Sequence, residues 1–145
     1  MGKIIQFLII VMSISIYICC TKDNISPTNR TDELINSSWQ FVAFDSAGVI
    51  IKVDIADTIY LTFKSSKLIE GEAKGLCNNK YNGIFYLDNN KIRIDSLIST
   101  EAACPDSRYW DYFLMLQNVN SFCIDDLCLY MYSYDDSIKL IFERR

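Results

Sequence analysis

The stretch from Gly71 to Cys104 constrains the fold of this chain more than any other, and it begins and ends near a cysteine. It opens with turn-forming residues at a density that predicts an irregular, tightly folded loop. These residues are Gly75, Asn78, Asn79, Asn82 and Gly83. Two strand-like runs follow, Ile84–Leu87 and Lys91–Ile94, with the turn sequence Asp-Asn-Asn between them. The stretch therefore predicts a loop followed by a β-hairpin.

The other predicted elements are short strands and one long helix. Apolar alternation and turn signals predict strands over Trp39–Phe44, Val49–Val53, Thr58–Phe63, two runs around Asp125-Asp126, and Ile138–Phe142. Apolar residues that recur every three or four positions predict a helix from Ser107 to Val119, capped by Asp106 or Ser107. We therefore expect an α+β, mainly antiparallel fold: a curled sheet or partly open barrel of about eight strands with one packed helix.

Residues 1–19 have the pattern of a signal peptide. Lys3 precedes an apolar run, Ile4–Ile18, which is shorter than the roughly 20 residues that span a bilayer. A retained transmembrane anchor is the alternative. The run ends at Cys19 and Cys20, and this ending resembles the lipobox of bacterial lipoproteins. The resemblance implies lipid attachment at Cys20, with Cys19 as the small residue before it, or else attachment at Cys19 itself.

Residues 20–33 are polar, contain Pro27 and lack periodicity. They predict a tether between the lipid and a domain that occupies residues 34–145. We therefore expect a bacterial envelope protein that is held by its lipid at the membrane, most simply the outer membrane. The short sequence Thr21-Lys22-Asp23 loosely resembles a surface-export signal of Bacteroidetes lipoproteins.

Charge and residue types argue against several functions. The formal net charge is −4, and the basic residues are scattered singly apart from Arg144 and Arg145, so no nucleic-acid partner is expected. The chain contains no histidine, which removes the commonest general base and a common zinc ligand. We expect no enzymatic activity, no catalytic residue, no cofactor and no metal. Half of the residues are hydrophobic, enough to form the core of one domain.

Several short motifs occur along the chain in a fixed order. They are Leu34 with Trp39, Leu61-Thr62-Phe63, Gly71, Cys77-Asn78, Tyr81-Asn82-Gly83, Thr100-Glu101-Ala102-Ala103-Cys104, Phe113 with Leu116, and Leu127-Cys128-Leu129. This order resembles the META domain family. The resemblance spans roughly residues 34 to 143. It implies a compact, mainly antiparallel sheet with a helix, in an envelope protein without an established enzymatic activity. The chain departs from the family pattern around Cys77, because Gly75 does not directly precede it and three residues separate it from Tyr81.

Four cysteines follow the predicted signal peptide and the lipobox: Cys77, Cys104, Cys123 and Cys128. An even number in an exported protein favours disulfides. We predict the pairs Cys77–Cys104, which would close the stretch from Gly71 to Cys104, and Cys123–Cys128, which would staple the last hairpin. A metal or redox site and reduced, buried cysteines are the alternatives.

Tyr130, Tyr132 and Tyr134 form a stripe at strand period, with apolar residues on the opposite face. The stripe can line a ligand groove or an interface, or it can be ordinary packing. The acidic pairs Asp125-Asp126 and Asp135-Asp136 lack the spacing of a calcium loop and are expected to be turn acids. Four Asp-Ser/Thr-apolar triplets resemble O-glycosylation sites, although turn chemistry explains each of them equally well.

The sequence therefore predicts a monomeric, non-catalytic envelope protein with a structural, stress-related or partner-binding role. The alternative is a binding module that holds a small apolar ligand or peptide in the barrel mouth or against the tyrosine stripe.

Overall fold

The computed structural model describes residues 31–53, 58–75, 78–101 and 107–145. In chain order the elements are α1 (Thr31–Leu34), β1 (Ser38–Ser46), β2 (Val49–Lys52), β3 (Thr58–Phe63), β4 (Leu68–Lys74), β5 (Lys80–Asp88), β6 (Lys91–Ser99), α2 (Ser107–Gln117), β7 (Val119–Asp125), β8 (Cys128–Ser133) and β9 (Ile138–Arg144). Neither described helix is long and apolar enough to cross a membrane.

Eight of the nine strands close into an antiparallel barrel. Each strand from β3 to β9 pairs with the next, and β1 completes the circle because it pairs with β3 and also with β9. The junction between β6 and β7 is the narrowest, with the single register pair Lys91–Ser121. The predicted class, α+β and mainly antiparallel with one packed helix, is confirmed. The sheet closes fully, where a curled sheet or partly open barrel of about eight strands was expected.

The ninth strand, β2, extends the sheet beyond the barrel. The first half of β1, Ser38–Phe41, pairs with β3, whereas its second half, Ala43–Ser46, pairs with β2. Ala47 and Gly48 make the connecting turn with φ angles of 51° and 86°, as a two-residue hairpin requires.

The barrel interior is apolar because side chains alternate between the two faces of each strand. In β3, Ile59, Leu61 and Phe63 point inward and are buried. Leu129 and Met131 of β8 are fully buried. This alternation agrees with the period-2 pattern of the sequence.

Helix α2 packs its apolar face into the barrel, against β6 and β9. Tyr109, Tyr112, Phe113 and Leu116 are buried, whereas Leu114 is exposed. The helix ends at Gln117, where the side-chain amide of Asn118 donates a hydrogen bond of 2.8 Å to the Leu114 carbonyl. Such a bond satisfies one of the carbonyl groups that a helix leaves unpaired at its end.

Several predicted boundaries differ from the structure. Strand β5 begins at Lys80, inside the predicted loop, because Tyr81 pairs with β4 and turns its side chain into the core. Strand β6 continues to Ser99, and a bulge at Ser96 (φ 54°) breaks the predicted alternation. Helix α2 stops two residues before Val119, which begins β7. The short helix α1 was not predicted, and it occupies the end of the predicted tether.

Candidate functional site

The motif residues Gly71 and Tyr81 lie in adjacent strands, β4 and β5, and are directly paired. The Tyr81 ring crosses the glycine toward β3, and its hydroxyl donates a 2.6 Å hydrogen bond to the backbone carbonyl of Tyr60. A side chain at position 71 would occupy the same space, since an ideal Cβ would lie 1.9 Å from Tyr81 Cζ. Glycine at 71 is therefore required for this close approach.

Helix α2 contributes the second member of this buried cluster, Tyr112. Its hydroxyl lies 2.6 Å from that of Tyr81. Because the Tyr81 proton is directed to the Tyr60 carbonyl, Tyr112 donates to Tyr81. The Tyr112 ring also contacts Phe41 at 4.7 Å and Phe142 at 6.3 Å between centroids. Tyr112 thus joins the helix to three strands inside the barrel.

The electrostatics of this tyrosine pair argue for a structural role. Burial raises the pKa of both Tyr81 and Tyr112 above the usual value for a phenol. Both side chains therefore remain neutral over the physiological pH range. They are suited to hold the helix against the sheet and unsuited to accept a proton from a substrate.

A second polar network secures the start of β5 to the end of β6. Asn79 is fully buried, and its side-chain oxygen accepts a 3.1 Å hydrogen bond from the Thr100 hydroxyl. The same hydroxyl oxygen accepts a bond from the Lys80 backbone amide. The hydroxyls of Ser99 and Tyr109 lie 2.5 Å apart and connect β6 to helix α2. Hydrogen bonds between polar groups therefore join β5, β6 and α2 without a contribution from a cysteine.

Three of the five predicted cysteine positions, Cys20, Cys77 and Cys104, lie outside the described residues. The predicted bond between Cys123 and Cys128 is wrong, because Cys128 carries a free thiol. The strand register supplies the reason: Cys123 pairs with Tyr130, and Cys128 pairs with Asp125. Cys123 and Cys128 are therefore diagonal neighbours, and such positions are about 7 to 8 Å apart. The Cα atoms of two disulfide-bonded cysteines are usually no more than about 6.8 Å apart.

The tyrosine stripe lies on the outer surface of the barrel. Tyr130 and Tyr132 are partly exposed on β8, whereas Leu129 and Met131 on the opposite face are buried. Leu127, which was predicted to share that face, lies in the turn before β8 and is exposed. Tyr134 lies beyond the strand and is exposed. The stripe is thus not part of the barrel interior.

An ion pair borders the stripe. Lys139 of β9 pairs with Tyr132 of β8. Its ammonium group lies 2.8 Å from the Asp45 carboxylate and 5.7 Å from the centre of the Tyr130 ring. The hydrogen bond from Lys139 lowers the pKa of Asp45. Tyr130, Tyr132, Lys139 and Asp45 together form what we call the tyrosine wall. It is an amphipathic outer surface and the best candidate binding face among the predicted residues.

Of the two acidic pairs, Asp126, Asp135 and Asp136 lie in turns or bends as expected, whereas Asp125 is the last residue of strand β7. Asp135 accepts hydrogen bonds from the hydroxyls of Ser133 and Ser137 and from the Ser137 amide. These bonds lower the pKa of Asp135 to about 2, and the bond from the Ser137 hydroxyl makes the largest contribution. Across the described ranges, no cluster of three or more cysteine or carboxylate side chains could hold a metal ion.

Sequence reasoning missed the Gly71–Tyr81–Tyr112 arrangement as a unit, although it had singled out Gly71 and Tyr81 as motif residues. An isolated glycine inside a strand pattern is the signal that could have found it, because such a glycine often marks the close approach of another group. Tyr112 carried no signal of its own, since it is one of several apolar residues on the helix.

Comparison with known proteins supports the fold. A family model described as META domain matches residues 32–144. A protein from Burkholderia xenovorans, solved by NMR, aligns with a TM-score of 0.70 and 22% identity over 88% of this chain and 93% of that chain. A DUF4847 family protein from Bacteroides vulgatus, a crystal structure, aligns with a TM-score of 0.59 and 12% identity over 77% of this chain and 94% of that chain. At these identities the likeness concerns the fold alone. No curated protein matches the chain.

Proposed function

Because the chain belongs to the META domain family, we propose that it is a non-catalytic, lipid-anchored protein of the bacterial envelope. Its lipid on Cys20 would hold it at the outer membrane, and residues 21–30 would link the lipid to the barrel. The barrel has a structural, stress-related or partner-binding role. It works through its outer surface and not through an internal ligand.

The observation that carries this proposal is the position of Tyr112. Its side chain is fully buried inside the barrel, in ring contact with Phe41 and Phe142. Proteins with lipocalin-like binding activity leave such a space open for the ligand. Here a helix of the same chain supplies the aromatic side chain that occupies it.

The absence of histidine from the sequence and the raised pKa values of the buried tyrosines support a non-catalytic role. A general acid or base works best when its pKa lies near the operating pH. The buried phenols fail this condition.

The tyrosine wall supports a second candidate function, the binding of a small apolar ligand or an extended peptide on the outside of the barrel. Tyr130 and Tyr132 offer aromatic surface beside the Lys139–Asp45 ion pair. Aromatic residues with a polar tip are common in protein interfaces. A ligand bound there would perturb NMR signals of Tyr130 and Tyr132 and leave those of Tyr112 unchanged.

Metabolic labelling with radioactive palmitate tests the proposed anchor. We expect label in the wild type and in Cys19→Ser, because serine keeps a small residue before Cys20. We expect none in Cys20→Ser or in the double variant. Full labelling of Cys20→Ser that disappears only in the double variant would move the lipid to Cys19, and labelling that survives the double variant would contradict the proposal.

A further inference from the structure

Strand β2 is paired along one edge, and within the described part of the chain its other edge is open. It pairs with β1 and stands at the end of the strand order, so no other described strand covers its second edge. An open edge is a template for another extended chain, and proteins commonly bind partners by adding a strand to it.

The register identifies which backbone groups lie on this open edge. In a two-residue hairpin the residues that flank the turn, Ser46 and Val49, form a hydrogen-bonded pair, and pairing then alternates along the ladder. Val49 and Ile51 therefore direct their amide and carbonyl groups to β1. The bond from the Val53 amide to the Val42 carbonyl, 3.0 Å, continues the same alternation. Ile50 and Lys52 consequently direct theirs outward.

The side chains of β2 also lack the usual protection of an edge strand. Val49 and Ile51 share one face and are 63% and 50% exposed. Natural edges are often defended by several charges, by proline or by a cover. Here Lys52 is the only charged residue in the strand, and among the described residues it makes no ion pair. The strand thus offers a β-branched surface with one free positive charge.

The location of β2 selects the kind of occupant. The domain is entered through α1, next to the Ser38 end of β1, where Thr31 donates to the Asn89 carbonyl. The β1–β2 turn lies at the other end of this nine-residue strand, about 26 Å away at the rise of a β-strand. The β2 edge is therefore well separated from the point where the described chain begins, which leaves it accessible to another protein.

The charge of β2 disfavours a second copy of the chain. The same strand of a second copy, Val-Ile-Ile-Lys, contains no acidic residue that could pair with Lys52, and it would bring a second lysine to the edge. Like charges that oppose each other across a strand pair are destabilising. A segment of a different protein has no such restriction.

From these observations we infer that β2 is a strand-addition site for an extended segment of another envelope protein. The segment alternates β-branched and acidic residues: the former pack beside Val49 and Ile51, and an acidic side chain pairs with Lys52. This inference deepens the proposed partner-binding role, and the location of the partner in the envelope rests on the proposed lipid anchor.

The test is hydrogen exchange measured by NMR on the full chain in detergent micelles, with a short synthetic peptide of alternating valine and glutamate as the probe. Addition of the peptide should protect the outward amides of Ile50 and Lys52. The amides of Val49 and Ile51 should change little, because they are already bonded to β1. The inward and outward amides of one strand thus provide an internal control.

Two perturbations remove the edge hydrogen bonds. Ile50→Pro deletes an outward donor and no bond to β1, and Ile50→Thr is the matched control that keeps the donor. We expect at least a tenfold loss of peptide affinity in the proline variant and less than threefold in the threonine variant. The second perturbation leaves the protein unchanged and N-methylates the amides of the peptide that face β2, so it remains informative if Ile50→Pro does not fold.

Binding that survives N-methylation, or protection that appears on other strands, would overturn the inference. Concentration-dependent protection of Ile50 and Lys52 without peptide would also overturn it and would identify a second copy as the occupant.

The experiment is repeated with Cys20→Ser. Because peptide binding and palmitate labelling are measured separately, failure of the strand-addition site can be distinguished from failure of the anchor.

Discussion

The ring of Tyr81 passes over Gly71 and reaches the backbone of a third strand, so that one tyrosine connects β3, β4 and β5. A side chain at position 71 would block this path, because an ideal Cβ there would also lie 2.4 Å from the Tyr60 carbonyl oxygen. The glycine and tyrosine of the family motif are thus two halves of one contact.

Gly71→Ala should destabilise the protein by about 3 kcal/mol or more, because overpacking a rigid core site has a cost of this order. The methyl group would meet both a ring and a backbone oxygen, and the oxygen cannot move without shifting β3. Urea unfolding measures the change. Gly48→Ala is the control, since no atom lies within 4 Å of its Cβ and only its φ of +86° opposes the substitution, at about 1 kcal/mol. Equal losses in the two variants would show that Tyr81 does not occupy this space.

The two buried phenols should respond differently to removal of the hydroxyl. Tyr81→Phe leaves the Tyr60 carbonyl and the Tyr112 hydroxyl without their partner, and we expect a loss of about 2 to 3 kcal/mol. Tyr112→Phe removes one donor and leaves the Tyr81–Tyr60 bond intact, so about 1 kcal/mol is expected. Chemical denaturation of both variants gives the comparison. The reverse order would place the central hydroxyl on Tyr112.

Stability should fall in alkaline solution. The folded-state pKa values of Tyr81 and Tyr112 are raised above the unfolded value near 10. Below that value both states hold the proton and the full stability is present; as the pH rises above about 10, the unfolded state loses protons that the folded state keeps, and stability declines. We expect the melting temperature to fall steadily as the pH rises above about 10, and to fall less in Tyr112→Phe. An equal decline in the variant would exclude Tyr112 as a source.

Cys128 should react with an alkylating reagent in the unreduced protein, because its thiol is free and half-buried. Mass spectrometry of the digested protein locates the label, and Cys128→Ser controls for labelling elsewhere. A disulfide-linked peptide pair that contains Cys123 and Cys128 would contradict the strand register.

The fold class was predictable because strand alternation and helical periodicity are local properties of the chain. The alternation of Ile59, Leu61 and Phe63 and the spacing of Tyr109, Phe113 and Leu116 both indicate the buried face correctly. The start of β5 was not predictable in this way. Asn79 and Asn82 are residue types typical of loops. Asn79 is nevertheless buried and hydrogen-bonded to Thr100, and Asn82 lies in β5, which pairs with β4. Such long-range contacts override local turn preference.

The predicted staple failed for a related reason. The spacing of Cys123 and Cys128 fits a hairpin, but whether two cysteines oppose each other depends on the turn. A two-residue turn at Asp126 and Leu127 pairs Cys128 with Asp125 and leaves Cys123 opposite Tyr130. A shift of the turn would be needed to bring the sulfur atoms together.

The central claim is that the barrel interior is occupied by the chain itself, and a fluorescence titration with the apolar probe N-phenylnaphthylamine tests it most directly. Wild-type protein should show no saturable binding. Tyr112→Ala should bind the probe, because it opens a space lined by Phe41 and Phe142, and apolar cavities of this kind accept apolar ligands. Saturable binding by the wild type that persists when Tyr130 and Tyr132 of the outer surface are replaced by alanine would contradict the claim that α2 fills the barrel.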